Sequence, residues 1–342
     1  MAINGIASLV YGVDDPQESI RFFSDFGLPL VSASADEGRF ELAEGSSVVV
    51  RPLAGVRSEG SAIVDQGVQE VIWGVDSSEN LEALVARVAT DRPVSRAEDG
   101  TARFIADGGI PMGLRVFAKK PVVTSPDPLN SPGNVNRLNR NRRYRKRAIP
   151  KVIQHVVFAV ESFETSFKFL CERLDFRISD YQPTYGIYAR CDGANNHHNI
   201  FFLNANLPLP GMDGKTRFHH ANFGVEDIDE MLIGGNYMLR KGWDSSHLGL
   251  GRHRTDSALF YYLPCPAGGE AEYGADADYV DDAWVPRFWT SPQFGYTHYV
   301  HNLPPFLMEE APWEVRYLTD EDFLEGAPKG WNRALAGVEE VQ

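Results

Sequence analysis

The sequence predicts an α+β fold in which four βαβββ units pair into two barrel-like domains. The order strand, helix and then two or three strands recurs four times along the 342 residues. A Pro-, Asn- and Arg-rich segment divides the repeats into two pairs, and all nine histidines lie after this segment. Paired units of this kind can curl their sheets around a central cavity, which is where a functional site is expected.

The first unit shows the pattern in full. Residues 3–13 alternate like a strand, and Asp14-Asp15-Pro16 supplies an N-cap and a first-turn proline for an amphipathic helix. This helix is expected to run through Phe26 and to end at Gly27, where glycine is a common helix stop. The strands that follow are expected at 38–43 and 46–52.

The other three units repeat the same order with different lengths. The second unit is predicted to contain a strand at 70–75, a helix over 81–90 and strands near 102–106 and 112–117. The third is predicted to contain a strand at 153–160, a helix at 163–174 and three strands out to Asn204. The fourth is predicted to contain a strand at 217–225, a helix from Ile228 to Arg240 and strands near 257–263 and 269–273.

These units suggest a division of the chain into four segments. They are an N-terminal domain (1–120), a linker (121–150), a C-terminal domain that contains all nine histidines (151–302) and a tail (303–342). Residues 137–151 of the linker region carry eight basic side chains and no acid, so the remainder carries about −14 − 8 = −22 charges. We therefore expect this basic stretch to lie on acidic surface of the protein itself, with a nucleic-acid-binding arm as the alternative.

Composition narrows the class of protein. The net charge of −14 argues against a general affinity for nucleic acid or for anionic membranes. The sequence lacks a run of 18 apolar residues and a basic, apolar N-terminal signal, so neither a membrane span nor secretion is expected. Three widely separated cysteines do not suggest a disulfide framework, which favours a cytoplasmic location.

A metal site is predicted from three strands of the second half. His155 lies in the middle of an apolar strand, His219 and His220 lie on the equivalent strand of the fourth unit, and Glu272 lies on that unit's last strand. One of two adjacent strand residues must face the shared cavity. A lone strand histidine is commonly a packed core residue, and a lone strand carboxylate commonly faces solvent. Together, however, two histidines and one carboxylate form a facial triad that suits non-haem Fe(II) with open positions.

The corresponding positions of the first half do not repeat this set. Alignment of the strands places Ser8 opposite His155 and Glu70 opposite His220. Glu70 is interpreted as a polar strand residue, because no histidine accompanies it.

Five strings in the second half carry a resemblance to a known family: QHVVFAV, NHHNIFFL, FHHANFGVED, GLGRHRTDSALFYY and EAEYG. In this order they resemble the type I extradiol ring-cleaving catechol dioxygenases of the vicinal oxygen chelate superfamily. The resemblance implies cleavage of a catechol-type aromatic diol by O2 in the degradation of aromatic compounds, with Fe(II), or alternatively Mn(II), as the metal. It also implies a homo-oligomer, with no nucleic-acid or membrane partner.

The resemblance makes 151–302 the catalytic metal-binding domain and 1–120 a domain without metal ligands, and it assigns roles to individual residues. The metal ligands would be His155, His220 and Glu272. His198 would be the acid–base residue, His253 and Tyr262 would form hydrogen bonds around the substrate oxygens, and Asp256 would be an acid behind them. The sequence departs from the family at Thr255, where Asn is frequent, and at Arg254, where a small polar residue is common. The additional arginine could favour a substrate with a carboxylate, but a solvent-facing side chain is expected.

Alternatives remain open at this stage. A metal-dependent lyase or isomerase of the glyoxalase kind would use a similar cavity, although with four ligands drawn from both paired units. A non-catalytic protein that binds aromatic compounds is a further alternative. The aromatic stretch 284–302 could cover the cavity mouth or a subunit contact, and His298 and His301 within it are interpreted as packing or surface residues.

Overall fold

Four βαβββ units follow one another in the computed structural model, which describes residues 2–209, 211–291, 296–309 and 314–332. The first unit consists of β1 (Ile3–Val13), α1 (Pro16–Phe26), β2 (Leu30–Ala33), β3 (Gly38–Glu41) and β4 (Ser47–Pro52), followed by one helical turn, α2 (Leu53–Val56). The second consists of β5 (Gly67–Val75), α3 (Ser78–Val88), β6 (Ser95–Arg96), β7 (Ala102–Ala106) and β8 (Ile110–Val116).

The second half of the chain repeats this arrangement. The third unit consists of β9 (Val152–Val160), α4 (Phe163–Leu174), β10 (Arg177–Gln182), β11 (Gly186–Arg190) and β12 (Ile200–Asn204). The fourth consists of β13 (Arg217–Gly224), α5 (Ile228–Arg240), β14 (Gly251–Arg252), β15 (Leu259–Pro264) and β16 (Glu270–Ala275). Three further strands follow: β17 (Arg287–Trp289), β18 (Tyr299–Val300) and β19 (Val315–Tyr317).

The strands form two sheets with matching order. In the first sheet the order is β2-β3-β4-β1-β5-β8-β7-β6, and in the second the core order is β14-β15-β16-β13-β9-β12-β11-β10. In both sheets the first strands of two units pair antiparallel at the centre, β1 with β5 and β13 with β9. Each of these strands also pairs in parallel with the last strand of its own unit. The predicted α+β fold of four paired βαβββ units is confirmed.

A recurrent cap explains why the helices begin where they do. Asp15, Ser77, Ser162 and Asp227 each accept a hydrogen bond from the backbone N–H three residues later. Such a cap satisfies one of the N–H groups that the first turn of a helix leaves without a partner. Helix α1 ends as expected at Gly27, whose φ of 113° is disfavoured for residues with a Cβ.

Aromatic side chains join the two halves into one core. Phe26 of α1 stacks on Tyr273 of β16 with ring centroids 4.0 Å apart, and the Tyr273 hydroxyl donates to the Phe26 carbonyl at 2.6 Å. Elsewhere Trp73 packs edge-on against Phe176 at 4.9 Å. These buried contacts seat β16 and the segment that follows α4 directly on the first half.

The basic linker lies on acidic surface, as predicted. Arg143 and Arg145 contact Glu226 at 2.6 and 3.3 Å, and Lys151 lies 3.6 Å from Glu230. These acids stand just before and within the first turn of α5, so the linker covers the N-terminal end of that helix.

The second sheet extends beyond residue 302, the expected end of the C-terminal domain. Strand β19 pairs antiparallel with β17, which pairs in parallel with β10, and β18 pairs with β14. These short edge strands have no alternating apolar pattern long enough to be detected in the sequence. Of the aromatic stretch and the tail, residues 292–295, 310–313 and 333–342 lie outside the described residues. Within the described ranges, the helices are too short or too polar to cross a membrane.

Candidate metal centre and cavity

The three predicted metal ligands meet at one point of the second sheet. His155 Nε2, His220 Nε2 and Glu272 Oε2 lie 3.3 Å from one another in all three pairs. All three residues are buried, and Glu272 is fully so. The three ligand atoms therefore mark the corners of a nearly equilateral triangle.

Strand register explains this convergence. Asn222 of β13 is paired with His155 on one neighbouring strand and with Glu272 on the other. Directly paired residues project from the same face of a sheet, and so does His220, two residues before Asn222. The order β16-β13-β9 thus places the three side chains side by side.

The residues fit a divalent metal ion by two independent criteria. Ligand atoms about 2.1 Å from one ion and on one face of an octahedron lie about 3 Å apart, close to the observed separations. Moreover, neither carboxylate oxygen of Glu272 accepts a hydrogen bond from a described residue, although both are buried. A buried carboxylate without a donor is costly, and a cation held between it and the two imidazoles removes that cost.

His198 lies against the triad. Its ring stacks on that of His155 with centroids 4.1 Å apart, and its side chain lines the cavity. Burial, reinforced by the neighbouring His155 and His197, holds the pKa of His198 well below its usual range. The neutral imidazole can therefore accept a proton at neutral pH.

His197 and His198 lie on an irregular segment just before β12. Asn199, the next residue, bridges the segments on either side. Its side chain accepts from the Cys191 N–H and donates to the Gln154 carbonyl.

His253 and Tyr262 form a hydrogen-bonded pair beside the triad, with His253 Nε2 3.1 Å from the Tyr262 hydroxyl. Tyr262 is the residue of β15 paired with Glu272, so its phenol stands next to the metal-ligand carboxylate. Burial, and then the charge of Glu272, raises the pKa of Tyr262 well above its ordinary value. Tyr262 is therefore a hydrogen-bond donor at any physiological pH.

Asp256 approaches the site from behind His198. Its Oδ2 lies 3.8 Å from His198 Nδ1, and its Oδ1 accepts from the Ala258 N–H. His197, His198 and Asp256 also form a second group of closely spaced candidate ligand atoms. Arg254 is half-buried, whereas a solvent-facing side chain was expected.

A cavity of about 690 Å³ opens in front of these residues. Most of its wall is apolar or aromatic, and its described lining contains no lysine or arginine. Besides the residues already named, its lining includes Val157, Tyr185, Tyr188, Phe201, Leu203, Pro208, Leu209, His219, His247, Leu248, Thr255, Glu270, Tyr296 and Pro304–Phe306. The site can therefore hold an aromatic molecule considerably larger than a single ring.

Several lining residues were not predicted individually. His247 Nδ1 lies 3.2 Å from Glu270 Oε1 at the polar edge of the cavity, and this contact raises the pKa of His247. Tyr296 and Pro304–Phe306 come from the C-terminal segment. The aromatic content of 284–302 was the only sequence signal for this contribution. In contrast, His298 and His301 are exposed.

The corresponding face of the first sheet carries a different set of side chains. Ser8 and Ser47 share a hydrogen bond of 2.9 Å, and Glu70 is paired with Arg103 at 2.6 Å. Glu70 is thus neutralised by an arginine, in agreement with its interpretation as a polar strand residue.

Solved structures with the same fold define the structural class of the chain. A Mn(II)-bound glyoxalase from Novosphingobium aromaticivorans superposes with a TM-score of 0.66 at 21% identity, covering 91% of this chain and 96% of the other. A halotolerant catechol dioxygenase superposes with a TM-score of 0.66 at 19% identity, covering 89% and 96%. The chain has the vicinal oxygen chelate fold, which glyoxalases and extradiol dioxygenases share.

Sequence comparison finds relatives of this chain among the extradiol dioxygenases. Metapyrocatechase 2 of Cupriavidus necator is 27% identical over 141 residues, 41% of this chain and 41% of the relative. An iron-dependent extradiol dioxygenase of Rhodococcus jostii is 31% identical over 146 residues, which cover 39% of this chain and 46% of the relative. A biphenyl-2,3-diol 1,2-dioxygenase of Paraburkholderia xenovorans is 29% identical over 136 residues, which cover 38% of this chain and 43% of the relative. The chain thus spans less than half the length of these curated relatives, and no protein-family profile matches it.

Proposed function

We propose that the protein cleaves the ring of a catechol-type aromatic diol with O2, beside the two hydroxyl groups, at a mononuclear Fe(II) centre. His155, His220 and Glu272 would hold the metal. The observation that carries the proposal is the triangle of ligand atoms 3.3 Å apart, with the acid–base candidate His198 stacked against one of its corners. Sequence relatives that are extradiol dioxygenases support the same conclusion.

The metal would supply a centre at which a catechol and O2 meet and exchange electrons, and the triad leaves one face open for both. The remaining steps belong to the protein. His198, neutral because its pKa is lowered, takes a proton from a catechol hydroxyl and returns it to an oxygen of the opening ring.

Tyr262 and His253 orient the oxygen atoms. The Tyr296 carbonyl accepts from His253 Nδ1, so Nε2 of a neutral His253 accepts the Tyr262 proton, and this hydrogen bond fixes the direction of the phenol. The Tyr262 hydroxyl keeps its proton and can turn it to a substrate oxygen once the substrate replaces the bond to His253. Asp256 holds the loop behind His198 through the Ala258 N–H. The apolar wall excludes water and packs on the aromatic ring.

Cavity shape and charge favour a particular range of catechols. A volume of about 690 Å³ with an apolar lining accommodates a bulky uncharged substituent on the diol ring. The described lining contains no lysine or arginine, and His247, whose pKa is raised, already contacts Glu270, so this wall offers no unpaired cation to a carboxylate substituent. We therefore propose that alkyl- or aryl-substituted catechols are better substrates than carboxylated ones.

Two features of the metal and reaction class are part of the proposal. Fe(II) is preferred because one sequence relative is named as iron-dependent, and Mn(II) is the alternative because a structural relative was solved with it. A glyoxalase-like lyase or isomerase is the second candidate function. It has one supporting observation, the equal TM-score of the Mn(II)-bound glyoxalase.

A reducing cytoplasmic location and association into a homo-oligomer complete the proposal. The first is supported by the absence of disulfides at Cys171, Cys191 and Cys265, which all lie in the described part of the chain. The second is supported by the exposed edge strand β2, where Leu30 and Val31 are open to contact. Light scattering of the purified protein tests the assembly.

The deciding experiment is anaerobic reconstitution with Fe(II), followed by metal analysis and oxygen-uptake measurements on unsubstituted, alkyl-, aryl- and carboxyl-substituted catechols. We expect one metal ion per chain and oxygen consumption that matches the formation of a yellow ring-opened product. Both should be lost in Glu272→Ala and retained in His301→Ala, whose side chain is exposed. Bound metal without oxygen uptake would favour the lyase or isomerase, and failure to bind metal would contradict both enzymes.

A further inference from the structure

A row of four polar side chains runs from the protein surface to the cavity. Arg287 of β17 contacts Asp180 of β10 through two bonds, Nε to Oδ1 at 2.8 Å and a terminal nitrogen to Oδ2 at 2.6 Å. Asp180 Oδ2 is also 2.9 Å from His197 Nε2, and His197 Nδ1 is 3.1 Å from His198 Nδ1. The row therefore ends at the proposed acid–base residue.

The charge of Arg287 determines how the row is polarised. Arginine only donates hydrogen bonds, so both oxygens of the fully buried Asp180 must accept from Arg287, as the oxygens of a carboxylate do. A carboxylate only accepts hydrogen bonds. His197 must therefore carry a proton on Nε2 and donate it to Asp180.

The tautomer of His198 follows from that of His197. A neutral imidazole protonated on Nε2 has a bare Nδ1, which can only accept a hydrogen bond. The neighbouring group within reach of that nitrogen is His198 Nδ1, 3.1 Å away. His198 must then be protonated on Nδ1, which leaves the Nε2 lone pair on the opposite edge of its ring, towards the cavity.

We infer that Arg287, Asp180 and His197 are positioning residues that fix His198 in the Nδ1-protonated tautomer, with Nε2 as the atom that receives the substrate proton. The inference rests on the proposed function, because it gives His198 its acid–base role. In the opposite tautomer Nε2 would already carry a proton, and His198 could not act as the base.

Other contacts hold the row rigid. Ser179 donates its hydroxyl to the His197 carbonyl, and the Trp284 indole donates to the Ser179 carbonyl at 2.9 Å while its ring packs edge-on against His197. Arg287 lies over the Trp284 ring at 4.5 Å and also donates to the Thr255 carbonyl. One arginine thus holds both the carboxylate behind His197 and the segment that carries Asp256.

The tautomers can be read directly by NMR of the ¹⁵N-histidine-labelled protein, metal-free and loaded with diamagnetic Zn(II). Ring nitrogen shifts distinguish the two neutral tautomers, and single His197→Gln and His198→Gln variants assign the signals. We expect wild-type His198 to be protonated on Nδ1 and His197 on Nε2. A wild-type His198 protonated on Nε2 would overturn the inference, whether or not the protein cleaves catechols.

Asp180→Asn tests the cause. Oδ1 of Asp180 faces Arg287 Nε alone, whereas Oδ2 faces both a terminal nitrogen of Arg287 and His197. An amide that keeps its oxygen on Arg287 Nε places its nitrogen at the Oδ2 position, where it donates to His197 Nε2, so the His197 proton moves to Nδ1 and the His198 proton to Nε2. We expect both tautomers to invert and kcat with Fe(II) to fall about 100-fold or more, the typical contribution of a general base. KM is expected to change by less than about threefold, because the substrate contacts are untouched.

Glu164→Gln is the matched control. Glu164 is a buried carboxylate of the same half that accepts from the Tyr181 hydroxyl and two backbone N–H groups, with no bond to the row. In the Glu164→Gln variant we expect the tautomers of His197 and His198, and kcat, to be those of the wild type. Equal losses of kcat in both variants, or an Asp180→Asn protein with unchanged tautomers, would overturn the inference. Should Asp180→Asn fail to fold, the wild-type spectrum alone decides.

Discussion

At the scale of single residues, Glu272 shows how a candidate metal ligand differs from an ordinary buried ion-pair partner. Both of its oxygens are buried, and neither accepts a hydrogen bond from a described residue. Glu44, equally buried, accepts from Ser46 and from the Ile153 N–H and lies 3.1 Å from Lys119. Both hydrogen bonds end on Oε1 of Glu44, and its Oε2 faces Lys119. The two carboxylates therefore provide a comparison between a proposed metal ligand and a residue that stabilises the fold.

We expect Glu272→Gln to stabilise the metal-free protein, because it removes a buried charge that lacks a donor. The gain should be about 1–3 kcal/mol in the free energy of unfolding. Metal affinity should fall by more than about 100-fold. Substitution of residues that only hydrogen-bond to a metal ligand already lowers metal affinity about 10- to 100-fold. Denaturant unfolding with and without metal measures both effects.

Glu44→Gln serves as the control and should behave in the opposite way. It breaks a satisfied ion pair, so the free energy of unfolding should fall by about 1–3 kcal/mol, and the intrinsic metal affinity should stay unchanged. A metal-free Glu272→Gln protein that loses as much stability as Glu44→Gln would show that Glu272 serves the fold in the way that Glu44 does.

At the scale of elements, sequence predicted what local chemistry determines. Helices α4 and α5 have the predicted bounds because Ser162 and Asp227 cap their first turns and apolar residues recur at helical spacing. The triad was predicted because its members lie on long strands whose pairing follows from the repeat. The contact between His197 and Asp180 was not predicted, because nothing in the sequence indicates which residue of an irregular segment meets which residue of a neighbouring strand.

The linker is held by an electrostatic contact that pH and salt should loosen. Burial disfavours the ionised form of Glu226, but hydrogen bonds from Arg143, Arg145 and the Ser125 N–H outweigh it, so the pKa of Glu226 is lowered. Because the folded-state pKa lies below the unfolded one, this contribution to stability is complete above the unfolded value, about 4.3, and is lost as pH falls through the folded value.

We therefore expect Glu226→Gln to release the basic stretch 137–151 from α5 at neutral pH. Trypsin should cut the linker several-fold faster in this variant, and faster in the wild type at high salt, because surface ion pairs are screened. Glu79→Gln, which changes an exposed acid in the first turn of α3, is the control and should leave the cleavage rate unaltered. Equal cleavage in all variants would mean that backbone packing holds the linker.

At the scale of the whole molecule, the two halves are physically one core. Phe26 and Trp73 of the first half pack on Tyr273 and Phe176 of the second, and one continuous cluster of buried side chains includes members of both. The first half brings no histidine to the site. Its contribution is to support β16, the strand that carries Glu272, because Tyr273 of that strand stacks on Phe26.

This shared core predicts that a defect in the first half removes the metal site in the second. Phe40→Ala, at a fully buried position of β3, should cost about 3–5 kcal/mol of stability. If the halves unfold together, the variant lowers the midpoint of one common unfolding transition, and metal release coincides with the loss of Trp fluorescence. Phe158→Ala, at an equally buried position of β9, is the matched variant and should lower the same transition. The contrary result would be two separate unfolding transitions, of which Phe40→Ala shifts only the one that releases no metal. The halves would then unfold independently, and the Phe26–Tyr273 contact would not couple them.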